Sequence, residues 1–478
     1  MKSEADVNLE LQPDPQLGES KAIIWMVAIA ALILFLCSSL KHGLFQSTAW
    51  DLGIFDQAVY LIAQGEAPIS SFTEFHILGD HAAFILYPIA LLYKVFADVH
   101  WLLAIQSIAL SLGALPTYYL AQQAGLKTSQ SLTLAAVYLL YPLVFNLNLF
   151  DFHPEVIALP AIFAAVLFAR LERVGWFICS LVIILSCKAA LALTVISIGL
   201  WLVLFEKRRL CGSIAISVGI AWFLIATQVI IPTIGGEGAS VGRHITRYNY
   251  LGNSFSEIAS NSIFNPVLWL GKIFSVGTLE YAALALSPII WRLSPRHLTP
   301  LIPAIPALAM NILSSDGAQR DVIHQYSLPV LPFLILVVIS SLADNRGWLR
   351  SNRAIILWAL LGFLILSRSH FFLGRYWEGL DTWQATREAI EQVQTDKGSV
   401  LTTAEIAPHL THRALVKLAI TEPPPTDLTR FQHILLNVKH PGWLSNPEFA
   451  QGLVDRLKTT PQFRLSYQKD RVYLFDRV

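Results

Sequence analysis

The chain has 478 residues, of which 54% are hydrophobic and 14% charged, and its mean hydropathy is +0.54. That apolar excess is too large for the core of a soluble protein, so lipid must surround part of the chain. A formal net charge of +1 with scattered Lys and Arg excludes the basic footprint that nucleic acid requires, and Cys37, Cys179, Cys187 and Cys211 show neither metal-ligand spacing nor a disulfide framework.

Residues 1–21 are acidic and polar and lack the pattern of a cleaved secretory signal; they are predicted to be a cytoplasmic tail. Ala22 to Leu40 is long enough to remain as a spanning helix. Apolar runs follow at Leu102–Leu120, Leu132–Phe150, Val156–Phe168, Trp176–Leu204, Cys211–Ile231, Ile273–Ile290, Leu298–Leu313, Ser327–Ile339 and Ala354–Leu366. With Trp176–Leu204 read as a hairpin broken near Lys188, the pattern predicts about eleven spans. Ala82–Phe96 and the stretch around Ile263–Leu270 are short and carry Pro88 or Pro266, which suits interfacial or re-entrant pieces. No Lys or Arg occurs from His42 to Tyr93, so this loop is predicted to face outward, because basic residues are retained on the cytoplasmic side. If Ala82–Phe96 does not cross, the basic stretches at Lys127, Arg170–Arg173, Lys207–Arg209, Arg292–Arg296 and Arg346–Arg353 all become cytoplasmic. The membrane domain is then 22–370, a mainly α transmembrane bundle, with outer loops 41–100, 151–155, 232–261 and 314–326.

From about Thr382 the texture changes to short apolar runs between turn signals. Helices are predicted over Thr386–Thr395 and Pro447–Thr459, strands near Val400–Thr403, Ala414–Ile420 and Ile434–Val438, and a closing hairpin of Phe463–Gln468 and Val472–Phe475. Residues 371–478 are thus expected to be a small extracytoplasmic α/β domain. No glycine-rich loop follows the first strand, which argues against a dinucleotide site.

Several polar constellations lie on the outer loops. Asp51 and Asp56 are five residues apart, about 140° around a regular helix, so they are not expected to chelate one ion together. One reading has Asp51 as an N-cap and Asp56 as a solvated residue; the other has one of them capturing a substrate. Glu74, His76, Asp80 and His81 suit either a divalent metal such as Mg or Mn, or polar cover for a loop. Asp151, His153 and Glu155 lie between two apolar runs with almost no linker, where an ionisable group is costly unless paired or functional. The competing reading is a tight turn, with Pro154 opening the next helix and Glu155 in its first turn. Lys188 needs an anionic partner if it lies at depth. Arg320, His324 and Tyr326 on one loop, and Arg243 on the glycine-rich one, supply the paired donors that a phosphate-bearing substrate requires.

Asp51–Gln57, Asp151–Glu155, His324–Pro329 and Ala407–Arg413 together resemble the recurring stretches of a prokaryotic membrane family, domain-of-unknown-function family 2079, from about Phe45 to Phe475. That family is similar in turn to the GT-C class of membrane glycosyltransferases, which use lipid-phosphate-linked sugars. The resemblance implies a catalytic or metal-binding carboxylate in the first outer loop, matched by Asp51 or Asp56, and an acidic pair on the second, matched by Asp151 and Glu155. Lys188 stands where the family carries a Lys-Glu-Asp run, but Ala189 and Ala190 follow it here, which tells against an active site at that position.

The expectation is therefore a GT-C-like transferase in the plasma membrane, taking a sugar from a polyprenyl-phosphate donor to an extracytoplasmic acceptor. Asp56 and Asp51 are the catalytic candidates. Asp151, His153, Glu155, Lys188, Arg243, Arg320, His324 and Tyr326 are the substrate-binding ones. A transporter or flippase of an anionic or lipid-linked substrate, and a non-enzymatic membrane scaffold, are the alternatives.

Overall fold

Helix length decides which apolar runs can cross a bilayer, since about 20 residues at 1.5 Å rise are needed for a hydrocarbon layer about 30 Å thick. The computed structural model describes residues 21–236 and 245–478. Residues 1–20 of the expected tail, and Arg243 of the glycine-rich loop, lie outside the described residues. Among the described residues, four helices are long and apolar enough to cross: Lys21–Gly43, His100–Gln123, Arg209–Gly235 and Gln325–Ala343. Two bent pairs, Thr128–Leu139 with Pro142–Leu149 (40°) and Pro266–Ile273 with Val276–Leu286 (48°), raise the number to six if each is one span.

The expectation of about eleven spans is therefore corrected. Val174–Cys187 and Leu191–Leu204 have 14 residues each, Asn352–Leu366 has 15 and Ala158–Arg170 has 13, so each is only about 20–22 Å long. An apolar run reports burial, not helix continuity. Most of Ala158–Arg170, for example, is buried inside the protein.

The break at Lys188 falls where the sequence placed it. Its free backbone groups are met by an inserted piece of the first long loop: Ala189 N donates to His81 O at 2.8 Å, and Ile85 N to Ser186 O at 3.0 Å. Irregular backbone at a helix break is tolerated when protein satisfies it in this way. The piece continues as a ten-residue helix, Leu86–Val95, too short to span.

Helices Leu191–Leu204 and Arg209–Ile225 pack backbone to backbone through Gly199, Gly212 and Gly219. A Cβ on Gly199 would lie 2.6 Å from Gly212 O, and one on Gly219 would lie 2.7 Å from Ile196 Cγ1. Close approach through small residues is how helices associate where lipid removes the hydrophobic driving force.

The C-terminal domain is a five-stranded sheet in the order β2-β1-β3-β5-β4, with β1 Val400–Thr402, β2 Val416–Leu418, β3 His433–Asn437, β4 Phe463–Lys469 and β5 Val472–Arg477. β1 pairs parallel with β2 and β3, while β5 pairs antiparallel with β3 and β4. Strand alternation puts Ile434, Leu436, Tyr473 and Phe475 on one face against helix Pro447–Lys458. Leu435, Val472 and Leu474 face the helix Leu380–Val393 on the other side, giving three layers. Phe45, from just beyond the first membrane helix, packs into this second layer, and Ala407, Val416 and Leu418 pack with Leu52, Phe55, Phe72 and Phe152 of the membrane part. The soluble domain is thus keyed into the loops rather than tethered above them.

Replacing Gly199 by Val is expected to cost about 1–3 kcal/mol through overpacking, read as a lowered melting temperature in detergent. Gly175→Val, at a site with nothing within 4 Å, should be close to neutral; equal losses in both would show that the glycine contact carries no special weight.

Candidate functional site

Lys41 occupies the last turn of the first membrane helix and is buried. Its Nζ lies 2.6 Å from Asp151 Oδ1, and the second carboxylate oxygen of Asp151 accepts from Thr48 N at 2.9 Å. Asp151 adopts a left-handed backbone (φ +79°), which lets the chain turn sharply between the helix Pro142–Leu149 and the 3-10 turn Pro154–Ile157. Asp is among the few residues that enter this region at modest cost.

Asp51 lies in a π-helical turn, Ala49–Gly53. Its carboxylate accepts from Thr48 Oγ1 at 3.1 Å and meets His153 Nε2 at 3.3 Å. The Asp51 side chain keeps 23% of its surface exposed, whereas that of His153 keeps 5%. Burial by itself would raise the Asp51 carboxyl, but the His153 hydrogen bond and charge outweigh it and hold the group below the ordinary carboxylate range. Burial would likewise lower His153, yet Asp51 and then Glu155 lift it above the usual imidazole range. Glu155, buried, is brought below its ordinary value chiefly by Lys188, whose Nζ lies 2.6 Å from Oε1. The result is a row of alternating charge running from Lys41 to Lys188.

The His153 ring stacks on Phe150 at 5.2 Å, and Phe150 meets His324 edge-on at 4.5 Å. His324 is held by Asp321 at 2.6 Å, through an oxygen separate from the one that accepts the backbone N–H groups of Ile323 and His324. Tyr326 accepts from Arg247 Nη2 at 3.2 Å, while Arg320 donates to Ser314 O. The structure thus brings Asp51, Asp151 and His153 into direct contact, sets the Glu155–Lys188 pair within electrostatic reach of His153, and joins His324 to His153 through Phe150; Tyr326 and Arg320 lie on the adjoining loop.

Asp56 belongs elsewhere. It is 1% exposed, not solvated, and it accepts from Tyr93 OH at 2.5 Å and from Thr411 Oγ1, with His412 Nε2 at 3.1 Å. Two of these partners come from the soluble domain. Beside it, Gln57 bonds Ser70, Ser71 and the Arg413 carbonyl, and the Ser71 hydroxyl both donates to Val416 O and accepts from Val416 N, closing the exposed edge of β2. These contacts form a clasp between the two parts of the chain.

The expected metal set is dispersed. Glu74 pairs with Lys417, His76 Nδ1 caps Leu78 N at 3.2 Å, and Asp80 and His81 pair with each other at 3.4 Å. No group of three or more metal-ligating side chains gathers among the described residues.

Lys41, Tyr93, Thr411 and His412 escaped the sequence reading. Lys41 directly follows the first apolar run, and nothing in its local sequence marks it as buried against a carboxylate. Only the resemblance at Ala407–Arg413 hinted that the soluble domain reaches back to the first loop.

Residues 41–474 match the family described as a predicted membrane protein, DUF2079. The chain belongs to that family. No curated protein matches it. The fold is similar to that of ArnT from Cupriavidus metallidurans bound to undecaprenyl phosphate, with a TM-score of 0.56 and 12% identity over 96% of this chain and 99% of that one. The apo form of ArnT gives the same TM-score and identity and is covered to 98%. This DUF2079 protein is thus a mainly α, multi-pass membrane protein of GT-C-like fold with a distinct C-terminal soluble domain.

Asp56→Asn would place an amide N–H₂ among hydroxyl and imidazole donors. It is expected to cost about 2–4 kcal/mol and to speed hydrogen exchange across residues 407–418. Unchanged exchange there would show that Asp56 does not hold the domain.

Proposed function

We propose that this protein is a membrane glycosyltransferase of GT-C type, with Asp51 as the reacting carboxylate. The observation that carries the reading is the Asp51–His153 pair: a partly exposed carboxylate on the first loop, braced by a buried imidazole and flanked by the Lys41–Asp151 and Lys188–Glu155 bridges. The fold likeness to a protein crystallised with undecaprenyl phosphate supports a polyprenyl-phosphate-linked sugar as donor. Of the two first-loop carboxylates, Asp51 suits the chemistry because it is reachable, and Asp56 suits a clasp because its acceptor positions are taken by Tyr93, Thr411 and His412.

In this reading the Lys- and Arg-free stretch from His42 to Tyr93 and the C-terminal domain face outside, and the donor arrives from the outer leaflet. The acceptor hydroxyl oxygen bonds to the sugar anomeric carbon as the bond from that carbon to the phosphate oxygen breaks. The hydroxyl proton passes to Asp51, and the polyprenyl phosphate leaves with its negative charge. His153 holds the carboxylate in one orientation. Lys188, 17% exposed at its side chain, and Arg320 offer cationic partners for the departing phosphate.

The test is a transfer assay with a panel of radiolabelled polyprenyl-phosphate sugars on protein in lipid nanodiscs. Asp51→Asn is expected to lose roughly 100-fold or more in rate while melting within a few degrees of the parent. A demonstrated transfer that proceeds at full rate in Asp51→Asn would remove Asp51 from the chemistry. Movement of the labelled lipid across a bilayer without sugar transfer would instead favour a transporter.

A further inference from the structure

Two tryptophans meet where the soluble domain faces the first outer turn. Trp50 directly precedes Asp51, and Trp443 lies on the loop between β3 and the helix Pro447–Lys458. Their ring centroids are 6.0 Å apart at 86°, edge to face, and the residues remain 40% and 56% exposed. Large aromatic side chains gain most by burial, so a pair left open on two separate parts of the fold needs an explanation.

The Trp443 loop is held firmly in its projecting shape. Both neighbours have left-handed backbones, Gly442 at φ +75° and Leu444 at φ +62°. For leucine that conformation is unfavourable and persists only where the surroundings enforce it. Thr421 N donates to Leu444 O at 2.9 Å, Asn437 Oδ1 accepts from Lys439 N and His440 N, and His440 Nε2 meets Asp381 at 2.8 Å. Gly442 lies tightly over Glu405, since a Cβ there would be 3.2 Å from Glu405 Cγ.

Glu405 supplies the polar complement. It is half-buried and forms neither a hydrogen bond nor an ion pair through its carboxylate among the described residues. Burial pushes its carboxyl up to about 7 against the opposing pull of Arg375 and Lys41, so near neutrality it can both donate and accept. Gln46, Thr382, Asn437 and His440 line the same small recess.

We propose that Trp50 and Trp443, with Glu405 at their base, form the platform that seats a pyranose ring of the acceptor beside Asp51. A pyranose has an apolar C–H face, which stacks on the electron-rich face of an indole, and a hydroxyl edge, which a carboxyl and amides can hydrogen-bond. Beside Trp443, Gly442 lies against Glu405, so a carboxyl without a partner among the described residues stands next to the aromatic pair. The acceptor is the occupant because Trp443 belongs to the soluble domain, on the water side of Asp51, while the lipid-linked donor comes from the bilayer. The transferase reading sets the direction of the reaction; the binding of a sugar ring does not depend on it.

The experiment is saturation-transfer NMR on the full-length protein in nanodiscs, with methyl glucopyranoside, mannopyranoside and galactopyranoside as probes. Saturation is expected at the ring C–H protons of at least one probe. It should fall roughly 5- to 10-fold in Trp443→Ala, the scale of one aromatic contact, return in Trp443→Tyr, and stay at the parental level in Arg464→Ala, an exposed position on β4. A melting curve on each variant separates lost binding from lost folding. Failure of every probe to show saturation, or equal saturation in the parent and a folded Trp443→Ala, overturns the platform. So does a 5-fluoro-Trp443 resonance broadened by spin-labelled lipid and untouched by a water-soluble nitroxide, which would make Trp443 an anchor. Sugar binding that is lost in Trp443→Ala while the parent protein never transfers a donor would leave the platform standing and remove the transferase reading. Proven transfer with an unchanged acceptor KM in Trp443→Ala would do the reverse.

Discussion

A lysine ammonium buried at the end of a membrane helix is tolerable only if a carboxylate meets it, and everything near the site depends on how this chain solves that constraint. Lys41 is 6% exposed and Asp151 is 2% exposed, 110 residues apart in sequence and 2.6 Å apart in space. Such a pair gives little net stability over an apolar replacement, but breaking one side leaves an uncompensated charge in a medium that cannot solvate it. The pair therefore fixes geometry. It ties the first helix to the second outer loop, while the other oxygen of Asp151 takes the N–H of Thr48 and so sets the start of the turn that carries Asp51. On the same loop His153 is placed two residues further on, and its backbone N–H is anchored by Gln106 at 3.1 Å.

The second organising contact works at a larger scale. The soluble domain could have been an independent unit on a flexible tether, yet Asp56, Gln57 and Ser71 bind it directly, and Phe45 and Phe72 pack in clusters shared with it. The Ser71 hydroxyl takes both the N–H and the C=O of Val416 on edge strand β2, which removes that residue from pairing with another chain. One consequence is that the Trp443 loop is held at a fixed place over the first turn. A site assembled from two parts of the chain needs such rigidity, because loosely supported groups lose the orientation on which their chemistry depends.

Much of this was legible in the sequence, for physical reasons that can be named. Strands and helices of the tail were found because short apolar runs between proline, glycine and asparagine signals leave few alternatives; the helix expected at Pro447–Thr459 ends one residue earlier, at Lys458, whereas the one expected at Thr386–Thr395 runs from Leu380 to Val393 and so begins six residues earlier. The break at Lys188 was legible because a charge in the middle of a long apolar run marks a place where the helix cannot simply continue. Span number was not. Val156–Phe168 and Ala354–Leu366 were counted as spans on apolar composition although each run has 13 residues, and their helices, of 13 and 15 residues, fall short of the roughly 20 that a crossing needs. The sharpest losses were contacts between distant positions. Asp56 and Thr411 are 355 residues apart, and no local periodicity links them, so neither the catalytic nor the solvated reading of Asp56 anticipated its burial against the soluble domain. Local chemistry signalled that Asp151 and Glu155 needed partners; only the fold named Lys41 and Lys188.

The account rests on the claim that the Lys41–Asp151 bridge, rather than either residue alone, holds the first outer turn in place. A double-mutant cycle with Lys41→Met and Asp151→Leu, read by melting in detergent, tests it most directly. Each single change should cost about 3–5 kcal/mol by stranding a buried charge, and the double variant should recover a large part of that loss, with a coupling of roughly 2 kcal/mol or more. Losses that simply add would show the two groups to be independent and would contradict the role given to the bridge.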